Sequence, residues 1–328
     1  MTLTGGNRVR KFNKIWKSVA ALSIGALALT ACGEGDGTGD NGGEDKGELT
    51  IGVFNGWEEG IAVSYLWKHI LEEEGYTVNL EEAEPAVVFS GVATQDYDFT
   101  MDVWEPTTHA SYLDEYGDDL EMLGTWNDES SLQIAVNEDA PIDSLEELAD
   151  NADEFDNRIV GIEPGAGLTS ATEDEVIPTY GLDGMEFTTS STPAMLQELN
   201  TAIDNDENIV VTLWRPHWAY EAFPVRDLED PEGALGGSET MSTYAYNGFS
   251  DDFSEVSEWL SDFTMENDLL YDLEAQMFAD NDDEGEYENI VADWVAENQD
   301  YVDSLTEGGD SEDNGEDNGD EGDAGDEE

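Results

Sequence analysis

The chain has 328 residues, with 81 Asp and Glu against 10 Lys and Arg, for a formal charge of −71 at pH 7. Binding nucleic acid, or docking a folded surface on anionic lipid, needs a basic face, so both classes are excluded. Hydrophobic residues at 38% and aromatics at 10% supply a large core, and the single cysteine excludes an internal disulfide and a cysteine-based metal cluster.

Charge is unevenly placed from the start of the chain. Five of the ten cationic residues, Arg8, Arg10, Lys11, Lys14 and Lys17, precede the first carboxylate at Glu34. An apolar run from Val19 to Leu29 follows, too short for a comfortable membrane span, which takes roughly 20 residues. It ends in Leu29-Thr30-Ala31-Cys32-Gly33. A basic region, a short apolar region and small residues before a cleavage point describe a secretory leader over residues 1–31. The Leu-Thr-Ala-Cys-Gly order resembles a bacterial lipobox, which implies a lipid on Cys32 and a mature chain held on the outer face of the cytoplasmic membrane. Residues 32–47 are Gly, Asp and Glu-rich and predict a flexible, self-repelling tether.

Alternation at Leu49, Ile51 and Val53 predicts a strand ending near Phe54, and apolar residues at helical spacing predict a helix over 61–74, stopped by Gly75. Further strands are predicted at Tyr76–Leu80, Phe99–Val103, Ile134–Val136 and Arg158–Ile162. Helices are predicted at 144–149 and from about Thr169. Ile209–Leu213 has the near-continuous apolar character of a strand buried on both faces. Residues 254–305 read as helical, with Trp259 and Trp294 as core. The last segment, 307–328, is an acidic solvated tail; a partial echo of a calcium loop from Asp310 to Glu321 has the wrong residues at two positions. Alternating strands and helices predict an α/β architecture with largely parallel sheets, in two lobes.

In such folds ligands bind beyond the carboxyl ends of strands. The segments there are Gly56-Trp57-Glu58-Glu59-Gly60, Trp104-Glu105-Pro106-Thr107-Thr108-His109, Pro164-Gly165-Ala166-Gly167-Leu168-Thr169 and Trp214-Arg215-Pro216-His217-Trp218. Indole faces suit a cation that donates no hydrogen bonds, such as a quaternary ammonium, at about 0.5–2 kcal/mol each. A micromolar site needs about 8 kcal/mol, so Trp57, Trp104 and Trp214 alone fall short and the ligand needs a second, anionic end. Backbone N–H groups of Gly167 and Leu168 at a helix entrance suit a carboxylate, and His109 offers another donor. The implied ligand is a small zwitterion with a trimethylammonium head and a carboxylate. No nucleophile elbow, zinc-protease motif or phosphate loop is present, and carboxylate pairs are guaranteed by composition, so nothing points to an enzyme, a metal or a cofactor. An adhesive or structural surface protein is the other class to weigh; it would bind no such zwitterion.

These four segments are similar to those of the glycine betaine substrate-binding proteins of ABC transporters, over roughly 48–300. The resemblance implies a two-lobed periplasmic-binding-protein fold of type II with a ligand cleft between the lobes, one of 48–133 plus 241–306 and the other of 134–240. It implies Trp57, Trp104 and Trp214 as the cage, His109, Gly167 and Leu168 as the carboxylate site, and permease and ATPase subunits as partners. It also implies uptake of glycine betaine as an osmoprotectant, with proline betaine, carnitine or choline as alternatives. Past Cys32 only five cationic side chains stand against all 81 carboxylates, which predicts a halophile, since molar salt screens such self-repulsion.

Overall fold

The computed structural model describes residues 46–279 and 284–307. The leader, Cys32, the tether as far as residue 45 and the tail beyond residue 307 lie outside the described residues.

Nine strands follow in chain order: β1 (Gly47–Phe54), β2 (Tyr76–Ala83), β3 (Phe99–Glu105), β4 (Leu120–Asn137), β5 (Arg158–Gly161), β6 (Glu186–Thr189), β7 (Val210–Arg215), β8 (Val225–Asp227) and β9 (Glu239–Tyr246). Their spatial order is β2-β1-β3-β9-β4-β7-β5-β6, with β8 attached to β4. β1 runs parallel to β2 and β3, and β5 runs parallel to β6 and β7. Every pairing of β4 and β9 is antiparallel.

The expectation of largely parallel sheets is therefore corrected to a mixed sheet, and the reason is connectivity. β4 carries the chain from one half of the sheet to the other, and β9 brings it back. Leu120–Ser130 of β4 pairs with β9, whereas Ser131–Val136 pairs with β7. Three register shifts, between Met122 and Ser130, precede the change of partner. They break the period of two, which is why only Ile134–Val136 of this 18-residue strand stood out in the sequence.

The helix Glu58–Glu73 starts three residues earlier than its spacing suggested, because Trp57 takes the N-cap position and Ile61 N–H bonds to its carbonyl at 3.0 Å. Glu58 and Glu59 then fall in the first turn, where the helix dipole favours negative charge. Ala62, Leu66, Trp67 and Ile70 are buried on the face toward the sheet and the helices Asn267–Glu274 and Tyr287–Glu297. Trp67 meets Phe263 edge-on with centroids 5.4 Å apart, and Trp126 stacks on the same ring at 5.7 Å. Trp126 also donates its indole N–H to Met101 O at 2.5 Å. Trp67, Trp126, Trp259 and Trp294 are buried, core residues of the first half.

Candidate ligand-binding site

Trp104 and Trp214 are the penultimate residues of β3 and β7, and Trp57 follows β1, so the carboxyl ends of three strands place three indoles around one space. That space is a cavity of about 290 Å³ lined by Trp57, Trp104, His109, Gly167, Leu168 and Trp214, which are all six residues singled out in the sequence. Glu59, Thr108, Leu132, Ile162 and Ala166 complete the lining.

Two of the three indoles are tied down through the N–H by a carboxylate. Trp57 Nε1 donates to Glu163, whose second oxygen accepts from Thr192 N–H at 3.1 Å and from its hydroxyl at 3.2 Å. Trp104 Nε1 donates to Asp102 Oδ1 at 2.7 Å. Trp214 Nε1 faces Glu59 without a hydrogen bond, and burial raises that carboxyl's pKa well above the usual range. All three rings are 3–5% exposed, and their free surface is the cavity wall.

His109 is fully buried. Its Nδ1 accepts the Trp104 backbone N–H at 2.9 Å, and the His109 backbone N–H donates to Trp104 O at 3.1 Å, closing a tight loop. With Nδ1 an acceptor, the neutral ring carries its proton on Nε2, which has no protein partner. Burial among Trp57, Phe54 and Phe89, with Trp57 stacked at 5.4 Å, lowers its pKa to about 3. The cavity thus has a neutral donor at this corner.

Gly167 and Leu168 open the helix Gly167–Ala171, and their N–H groups take no part in the surrounding loop's hydrogen bonds. Glycine is required here by approach: a Cβ on Gly167 would stand 2.2 Å from Thr108 O. Thr108 belongs to the loop after β3, so the two halves of the sheet meet at this contact. Buried Glu239 fixes that loop, accepting the N–H groups of Thr107 at 2.5 Å and Thr108 at 2.9 Å, as well as the Thr108 hydroxyl.

No cationic side chain lines the cavity. Arg215, adjacent to Trp214, turns away to Asp227 at 2.7 Å and lies 3.5 Å over the Tyr220 ring. His217 is also outside the lining; it sits against Trp214, Trp218 and Glu58. Sequence reasoning missed Glu59, Asp102, Glu163 and Glu239, because among 81 carboxylates no single one announces itself.

The fold has counterparts among solved structures. Lactococcal OpuAC, solved closed with glycine betaine, superposes with a TM-score of 0.73 at 26% identity, covering 79% of this chain and 99% of that one. The glycine betaine/L-proline-binding protein ProX of Borrelia burgdorferi gives 0.73 at 27% identity, covering 79% and 96%. The fold is thereby that of a two-lobed, type II periplasmic binding protein with its cleft between the lobes. Residues 47–297 match the family described as the substrate binding domain of ABC-type glycine betaine transport systems, and the chain belongs to that family. The family is one of transport substrate-binding proteins rather than enzymes. The glycine betaine/carnitine transport binding protein GbuC of Listeria monocytogenes is 31% identical over 171 residues, 52% of this chain and 54% of that relative, about half its length.

Proposed function

We propose that this protein captures glycine betaine outside the cytoplasmic membrane and presents it to the permease and ATPase subunits of an ABC importer. The observation that carries the reading is the cavity's two kinds of lining group: three indoles, and with them a neutral His109 with an unclaimed Nε2–H and the free amides of Gly167 and Leu168. Trp57, Trp104 and Trp214 take the trimethylammonium head, while His109, Gly167 and Leu168 take the carboxylate. Lobes of 48–133 plus 241–306 and of 134–240 close on the ligand, and neither holds it alone. Cys32 carries the lipid anchor. The carboxylate excess is an adaptation to a saline exterior, in keeping with the import of an osmolyte.

Calorimetric titration with glycine betaine, proline betaine, carnitine and choline tests the reading. Glycine betaine is expected to bind most tightly. Preference for choline, which has no carboxylate, refutes the two-ended site, and silence toward all four refutes the transport role.

A further inference from the structure

Behind the indoles lies a feature that cage packing does not require. Glu59 is 2% exposed, lines the cavity beside the three tryptophans, and leaves Oε2 without a hydrogen bond. Asp102, also 2% exposed, leaves Oδ2 unpartnered, and Glu274 is fully buried behind them. The approach is close by construction: a Cβ on Gly60 would stand 2.6 Å from Asp102 Oδ2. Among the described residues every Lys and Arg ion pair lies elsewhere, His217 faces Glu58, and burial keeps His109 in the cavity wall neutral. Burial first, and then mutual repulsion, pushes Glu59 well above the usual carboxylate range; burial does the same to Asp102 and Glu274.

Buried carboxylates are ordinarily paired, because leaving water without a counter-charge is expensive. Here the chain assembles three and supplies no cation, and one of the three forms the wall of a cavity. We infer that Glu59 supplies the counter-charge to the cationic head of the ligand, and so is the residue by which this cavity distinguishes a cation from a neutral group of the same shape. The inference rests on the reading of the cavity as a quaternary-ammonium site. Indole faces provide the shape and part of the attraction; a bound cation favours the ionised form of Glu59, whose charge then acts in a water-poor setting, where Coulomb attraction is strong. Asp102 and Glu274 reinforce it from behind, and Asp102 also positions Trp104.

The test compares glycine betaine with 3,3-dimethylbutanoate, which keeps the carboxylate and the three methyl groups and replaces the nitrogen by carbon. Dissociation constants for both are measured by calorimetry on the whole protein, wild type and Glu59→Gln. Loss of the charge is expected to weaken glycine betaine by roughly ten-fold or more while leaving the isostere unchanged or tighter. Equal losses for the two ligands would make Glu59 a packing residue and overturn the inference, as would no loss for either. A wild-type protein that binds neither ligand refutes the proposed function instead. If Glu59→Gln gives no folded protein, the same ratio is read for Glu274→Gln, which does not line the cavity; a ratio identical to wild type overturns the inference.

Discussion

The segments Trp104–His109 and Trp214–Trp218 are built to one plan. Each has a Trp as the penultimate residue of its strand, and a cis proline two residues on. Each then places a fully buried histidine whose Nδ1 accepts a backbone N–H, from Trp104 at 2.9 Å or from Ala219 at 3.0 Å. They part at the remaining nitrogen. His217 Nε2 stands 3.3 Å from Glu58 Oε2, across from the helix that begins the first half. His109 Nε2 has no protein partner, and its ring lines the cavity. Neither Nε2 has a hydrogen-bond partner in the protein. Burial and tautomer are shared, and what separates the two corners is the neighbour, a carboxylate oxygen for His217 and the cavity for His109.

Four perturbations bear on that contrast. The largest effect is expected from His217→Ala, which removes a fully buried ring packed on Trp214 and Trp218 and strands the Ala219 N–H. Loss of such a ring with its buried hydrogen bond costs about 3–5 kcal/mol, read as a fall in unfolding free energy by denaturant titration. A protein as stable as wild type would mean that this corner is not packed as described.

Next comes pH. A histidine held at about 3 in the fold and near 6.5 when unfolded contributes stability that is complete above pH 6.5 and lost as pH falls toward 3. The slope approaches 1.4 kcal/mol per pH unit, so about 2–3 kcal/mol separates pH 6 from pH 4. His109→Gln should lack this component, and the difference between the two stability profiles isolates it from the carboxylates, whose raised values act in the opposite sense. Parallel profiles would show that His109 is not buried as a neutral ring.

His109→Ala is expected to weaken carboxylate-bearing ligands by about 1.5–3 kcal/mol, the range for a hydrogen bond to a charged group, and choline by much less. Equal losses would assign the residue to packing. Smallest are the cage substitutions: Trp57→Ala, Trp104→Ala and Trp214→Ala should each weaken glycine betaine by at least about 1 kcal/mol in the same titrations. Three variants that bind like wild type would end the cage assignment.

The parts of this site legible in the sequence were those with rare letters at strand ends. Nine Trp and three His in 328 residues are scarce enough that their clustering beside Gly and Pro carries information. The Gly167 and Leu168 amides were legible through the glycine-rich helix entrance. Glu59, Asp102, Glu163 and Glu239 were not, since burial decides their importance and composition hides it. For the fold, β1, β3 and β7 stood out because their burial follows simple patterns. β9 and most of β4 did not, because their register shifts against one another scramble the alternation that a strand normally prints on its sequence.

β1 has a mechanical consequence. It is eight residues long, about 26 Å at ~3.3 Å per residue, with Trp57 just past its carboxyl end and Lys46 at its amino end. Lys46 is clamped there by Glu255 at 2.8 Å and Glu74 at 3.5 Å, and lies over the rings of Tyr76 and Trp259. A pull on the chain at residue 46 is borne at the far end of the strand, by that clamp and by the parallel rungs to β2, which resist it in shear. A load applied there is therefore taken up first at the end of β1 remote from Trp57 and the cavity.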